Sequence, residues 1–242
     1  MNGSGQISER MRIRSVSLSA NTLKVMAVLA MTFDHYVAVF LYHNTPAAMA
    51  LRLPGRIAAP IMCYLIAEGY HHTSNVKRYI GRLLLFALIS HVPYNLAFGY
   101  RFFQATSVMW PLALGLIALA AVDDPRLPVA AKPFVLGLCA VLAIPADWHY
   151  VAVLWIVNFG LYRGDFKKQM IGFAVIGIAL HLIPTYLNAH NGMVHWFQLG
   201  IFLAVPLLSL YNGERGRKSA ALTWFFYVFY PLHLLLLYWL KR

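Results

Sequence analysis

The chain predicts an all-α, polytopic transmembrane helix bundle of about nine helices, with its N-terminus inside and its C-terminus outside. Three observations carry that expectation. Hydrophobic residues make up 60% of the 242 positions and charged residues 12%, with a mean hydropathy of +0.62, a composition that a soluble domain would struggle to keep in solution. The apolar residues gather into runs of about 17–25, the length that crosses a bilayer core. Lysine and arginine, finally, concentrate on alternate connections between those runs, as they do on the cytoplasmic side of membrane proteins.

The runs fall at about 23–42, 56–72, 79–98, 106–122, 133–146, 149–162, 169–187, 192–211 and 220–240. The fifth and sixth are short, and only Pro145-Ala146-Asp147-Trp148 separates them, so a re-entrant hairpin is an open alternative there. With the N-terminus inside, fifteen of the twenty basic residues lie on cytoplasmic segments, leaving Arg52, Arg56, Arg101, Lys241 and Arg242 outside. The net charge of +12 is therefore mostly topology. Cations spread over separate loops do not form a nucleic-acid surface. Residues 1–22 read as a flexible basic cytoplasmic tail without a cleavable signal, and 23–242 as a single transmembrane domain, because no connection is long enough to fold alone. Cys63 and Cys139 fall inside spans and suggest neither a disulfide framework nor a metal spacing.

Ionisable residues inside such spans are costly and by default mark a site. The first run carries Lys24, Asp34 and His35. At about 100° per residue, Lys24 and His35 share one helix face about 16 Å apart, with Asp34 turned about 100° from His35. The second run enters on Arg56 and carries Glu68 in its inner half. Depth pairs Arg56 with Asp34 and Glu68 with Lys24, each pairing lowering the penalty of an isolated charge. Beyond Glu68, Lys77, Arg78 and Arg82 form the densest basic stretch near the cytoplasmic face, suited to the phosphates of an anionic cosubstrate; ordinary snorkelling to lipid headgroups is the competing reading. His91 with Pro93, His181 with Pro184, and Gln198 are further polar positions within spans. In the last run Pro231 frees a backbone carbonyl near His233, and proline-broken helices tend to line cavities.

Several of these segments together resemble the TraX family. They are Leu23-Lys24 with Asp34-His35, Gly55-Arg56-Ile57-Ala58-Ala59-Pro60, Glu68-Gly69-Tyr70, Asn75-Val76-Lys77-Arg78-Tyr79, Ile89-Ser90-His91-Val92-Pro93-Tyr94-Asn95-Leu96, Tyr211-Asn212-Gly213-Glu214-Arg215-Gly216 and Phe229-Tyr230-Pro231-Leu232-His233-Leu234. The likeness covers roughly residues 23–240. That family is named after a conjugation protein that acetylates the N-terminus of a pilin subunit, and it is distantly similar to integral-membrane acyltransferases that O-acetylate cell-surface sugars. Those enzymes carry a basic residue followed by a histidine at the spacing of Lys24 and His35, with arginine more usual in the first position. At His91 an acidic residue would have been expected.

The resemblance implies a multi-pass protein of the bacterial cytoplasmic (inner) membrane that takes acetyl-CoA as cosubstrate and a pilin or other membrane-associated acceptor. His35 is the candidate general base, with Asp34, Arg56 and His233 as the other catalytic candidates. Lys24, Glu68, Lys77, Arg78 and Arg82 are the candidates for holding acetyl-CoA. No nucleophile motif accompanies His35, so direct transfer fits better than an acyl-enzyme. O-acetylation of a sugar, a proton-coupled transporter and a noncatalytic assembly scaffold are the alternatives.

Overall fold

A computed structural model describes residues 17–41, 45–188, 195–217 and 219–242. The first sixteen residues of the basic tail, Lys218 and the start of the eighth apolar run lie outside the described residues. Among those described, every element is helical: α1 Ala20–Phe40, α2 Pro46–Arg52, α3 Ala58–His72, α4 Val76–Phe98, α5 Met109–Asp123, α6 Ala131–Leu142, α7 His149–Leu161, α8 Phe166–Gly177, α9 Ile183–Leu187, α10 Ala204–Ser209 and α11 Ala220–Lys241. A 3₁₀ turn, Pro54–Ile57, fuses α2 to α3. A π-helical turn, Ile178–Leu182, joins α8 to α9, and a 3₁₀ helix, Trp196–Leu203, leads into α10. The described helices thus form nine segments.

Local chemistry sets many of the boundaries. Ser19, Thr45, Asn75, Asp165 and Ser219 each accept a backbone N–H from the first turn of the helix that follows, satisfying donors that lipid cannot. Gly99 ends α4 at φ 72°, where a side chain would be strained. The π turn has a covalent cause. Pro184 carries no N–H, so the ladder skips, and the Ile183 N–H reaches back five residues to Ile178 O.

Five segments are long and apolar enough to cross a membrane: Ala20–Phe40, Pro46–His72, Val76–Phe98, Phe166–Leu187 and Ala220–Lys241. The other four, expected to span, are shorter. At 1.5 Å per residue, the 15 residues of α5 and the 13 of α7 reach only about 22 Å and 20 Å, against a hydrocarbon core of about 30 Å. These two helices are apolar because they form the centre of the bundle. Trp155 and Phe159 of α7 and Leu112, Leu116 and Leu119 of α5 are sealed from solvent. A buried core helix and a spanning helix present the same apolar run, and length separates them. The second expected span also begins earlier than its apolar run, because residues 46–55 continue it as helix.

The bundle has two ends. At the first, Leu18 N–H bonds Leu210 O and Asn21 Nδ2 bonds Arg217 O. Tyr70 donates to Asp123, Lys132 to Val122 O, and Arg163 meets Glu68 at the same end. At the second, Arg52 meets Asp34, His181 meets Gln198, and Thr106 donates its N–H to Pro145 O and accepts from Asp147 N–H on the α6–α7 connection. Each helical segment runs from one end to the other, so successive segments alternate in direction. The first and last helices run parallel, with Lys24 beside Phe226 and His35 beside His233.

Candidate functional site

Along α1, Ala27, Met31, Asp34 and His35 recur at helical spacing and line one cavity of about 60 Å³. Arg56, Ala59 and Met62 close it from the second segment, Met109 from α5, Asp147 and Trp148 from the α6–α7 connection, and Phe226 and Tyr230 from α11. That volume holds a few waters or a two-carbon acyl group; a nucleotide is far larger.

His35 Nδ1 lies 2.9 Å from His233 Nε2, and the two rings are within 12° of parallel. The hydrogen positions follow from one fixed acceptor. His233 Nδ1 is 3.1 Å from the Phe229 carbonyl oxygen, which only accepts, so Nδ1 carries the proton. His233 Nε2 then accepts from His35 Nδ1–H in the neutral pair, and the lone pair of His35 is left on Nε2. The edge of Phe98 packs on the His35 ring at 5.3 Å, restricting its rotation.

Beside this pair, Asp34 is buried and takes two arginines. Arg52 donates from Nε at 2.9 Å and from Nη2 at 3.3 Å, and Arg56 donates from Nη2. The Arg56 guanidinium packs against the rings of Trp148 and Phe197, and that of Arg52 against Phe197, contacts that suit a weakly hydrated planar cation. Two glycines permit the close approach. A Cβ on Gly55 would overlap Asp34, and one on Gly200 would fall on the Leu53 carbonyl oxygen. Trp148 in turn stacks on His181, whose Nε2 meets Gln198 Oε1 at 3.2 Å. The connection that carries Trp148 is unusual: Trp148 and His149 are both left-handed, at φ 65° and 43°, a strained backbone for L residues of this size.

Asp34, His35, Arg56 and His233 are thus brought together as expected, and the Asp34–Arg56 pair forms. The Glu68–Lys24 pair does not. Glu68 accepts from Arg163 Nε at 3.1 Å and lies 3.5 Å from His72 Nε2, whereas the Lys24 ammonium sits over the Phe226 ring. Depth along the axis fixes height but not direction around it, and Glu68 points towards the α7–α8 turn. Lys24 lies one turn beyond the cavity's lining face of α1. Lys77 and Arg78 are exposed at the start of α4, and Arg82 packs on Tyr79 with its Nε unbonded; none of the three lines the cavity. His91 bonds Phe102 O at 2.7 Å and Thr106 at 3.3 Å, pinning the loop after α4. Among the described residues no three histidine, cysteine or acidic side chains gather as a metal site.

Three members of the site were not anticipated. Arg52 stands four residues before Arg56, a helical spacing that was available to be read but was obscured by Pro54. Asp147 and Trp148 gave no such signal, because a four-residue connection between apolar runs reads as an exposed turn.

The profile described as TraX protein matches residues 19–241. The chain belongs to the TraX family. This TraX-family chain is 30% identical over 236 residues, 93% of its own length and 96% of the relative's, to a probable fimbrial assembly protein, FimC of serogroup H1, from Dichelobacter nodosus. It is 26% identical over 160 residues, 66% of its length and 55% of the relative's, to the uncharacterized protein RP591 of Rickettsia prowazekii (strain Madrid E). No solved structure matches this TraX-family chain.

Proposed function

We propose that this protein is an integral-membrane acetyltransferase of pilus or fimbria assembly, moving an acetyl group from acetyl-CoA to the N-terminal amine of a pilin or similar membrane-associated protein. The observation that carries the reading is the His35–His233 pair, whose hydrogen bonds leave a free lone pair on His35 at a cavity of acetyl size. Membership of the TraX family and likeness to a probable fimbrial assembly protein support the biological setting.

In this reading the amine nitrogen attacks the thioester carbonyl carbon, and the carbonyl electron pair moves onto oxygen. His35 Nε2 takes the proton from nitrogen, and the resulting imidazolium is steadied through Nδ1–H by His233. Collapse re-forms the carbonyl and breaks the carbon–sulfur bond. The imidazolium proton goes to the departing thiolate, yielding amide and CoA thiol. The Asp34 cluster holds α1 to the second segment and so fixes the position of His35. Lys24, Arg82, Lys77 and Arg78 offer a cationic approach for the CoA phosphates at the opposite end, with the narrow pantetheine arm alone entering along α1. In this reading that end, which carries most of the loop lysines and arginines, faces the cytoplasm of an N-in, C-out protein of the bacterial inner membrane.

The test is transfer of radiolabelled acetyl from acetyl-CoA to a pilin-like N-terminal peptide by purified protein in nanodiscs. His35→Ala should lower the rate by about 10²-fold or more while the protein remains monodisperse. Full transfer by a folded His35→Ala variant overturns the assignment of the base, and the absence of both acetyl-CoA binding and transfer in the wild type overturns the enzyme reading in favour of a scaffold.

A further inference from the structure

Three carboxylates lie within the helical body at Asp34, Glu68 and Asp147, and their surroundings differ. Asp34 has two arginines and Glu68 has Arg163 and His72. Among the described residues Asp147 makes no ion pair and its carboxylate makes no hydrogen bond, although it lines the cavity alongside Arg56. A carboxylate kept only to balance Arg56 would close onto it, because contact strengthens the attraction and lowers the cost of burial.

The chain is built to hold Asp147 where it is. Its N–H bonds Thr106 O at 2.9 Å, and the Thr106 N–H bonds Pro145 O at 2.9 Å, so the connection is fastened on both sides of Ala146. The two left-handed residues that follow turn the chain sharply into α7. Strain of this kind persists where the surrounding structure enforces it, and such residues cluster at functional sites. Arg56 Nε is also buried without a well-formed hydrogen bond, and Arg56 lines the same cavity. Buried polar atoms are normally satisfied, so a guanidinium nitrogen without a partner, beside a carboxylate without one on the same small space, points to a polar guest.

We propose that Asp147 is the acceptor-selecting residue, its carboxylate receiving the primary ammonium of the acceptor across the cavity from His35. This rests on reading the cavity as the acetyl-transfer site. A cavity of about 60 Å³ brings any guest at Asp147 within reach of His35. A carboxylate favours an ammonium over a neutral hydroxyl through charge as well as hydrogen bonding. The acceptor class is therefore an amine, and a sugar hydroxyl is disfavoured. The ammonium gives one proton to water before the neutral amine attacks and passes the next to His35, so Asp147 acts as a positioning residue in recognition, and its loss weighs on KM for the acceptor more than on kcat.

The experiment measures equilibrium binding to protein in nanodiscs of a short apolar peptide with a free α-amine and of the same peptide α-N-acetylated. Wild type should bind the free-amine peptide at least about tenfold more tightly, in keeping with a charge-assisted contact. Asp147→Asn should abolish that preference while leaving the affinity for the acetylated peptide unchanged, and Asp147→Glu should restore part of it. Equal affinity of wild type for the two peptides overturns the proposal, as does a preference that survives in Asp147→Asn. Should Asp147→Asn fail to fold, the wild-type comparison and Asp147→Glu still decide. Acetyl transfer is assayed on the same samples: amine preference without transfer upholds the ammonium site and removes the acetyltransferase reading.

Discussion

At one end of the bundle Glu68 meets Arg163 at 3.1 Å and His72 at 3.5 Å; at the other Asp34 meets Arg52 at 2.9 Å and also Arg56, with His35 next in sequence. The two clusters use the same residue types. They differ in what surrounds them. The arginine and histidine around Glu68 are 40% and 54% exposed in their side chains, whereas those of Arg52 and Arg56 are 19% and 11% exposed. The cluster around Glu68 fastens α3 to the α7–α8 turn. Around Asp34 a cavity is bordered by the unsatisfied Arg56 Nε and a second carboxylate. Residue type alone does not separate a clamp from a site; leftover hydrogen-bonding capacity beside empty space does.

Mutations sharpen that contrast. Asp34→Ala strands two guanidinium groups inside the protein and should cost about 3–5 kcal/mol, the scale for breaking a buried pair. The readout is loss of the monodisperse peak and a large fall in the thermal midpoint in detergent; a variant as stable as wild type would make the Asp34 cluster no more of an anchor than the Glu68 one. His233→Ala should leave the fold intact and slow acetyl transfer by about 10²-fold, since His35 loses the acceptor that orients it. His233→Gln should recover part of that rate, because an amide oxygen can receive the His35 Nδ1 proton; equal rates for the two variants would show that the tautomer chain is irrelevant.

Gly200→Ala tests how tightly the arginine segment is pressed by its neighbour. Its methyl meets the Leu53 carbonyl oxygen and the Arg56 Cβ, and overpacking of this kind costs about 1–3 kcal/mol, to be read as a lower thermal midpoint. Glu68→Gln is the gentlest change. Its partners are well exposed, so the loss should be about 1 kcal/mol or less, with acetyl transfer and its KM values unchanged. A transfer defect in that variant would mean that the far cluster takes part in cosubstrate binding.

Much of the site was legible because charge inside an apolar run is expensive and therefore conspicuous. Asp34, His35 and Arg56 announced themselves in that way, and His233 did so through Pro231. Legibility stopped where direction around a helix axis was needed: matching depths proposed both Asp34–Arg56 and Glu68–Lys24, and only the first pair faces inward together. It stopped again at Asp147, which looks like a turn residue until Thr106 is seen to draw its loop into the bundle. Hydropathy likewise does not separate the interior helices α5 and α7 from the longer candidate spans, because they are as apolar as a span while being shorter than one.

The hydrogen bond between His35 and His233 joins residues 198 positions apart, one on the first helix and one on the last. Completion of the proposed site therefore waits on biogenesis. While the earlier helices are being inserted, His35 lacks the partner that orients it, and the wall supplied by Phe226, Phe229 and Tyr230 is missing. The arrival of α11 completes the pair and the enclosure in one step, so under the proposed acetyl-transfer reading a nascent protein is silent until its final helix has docked.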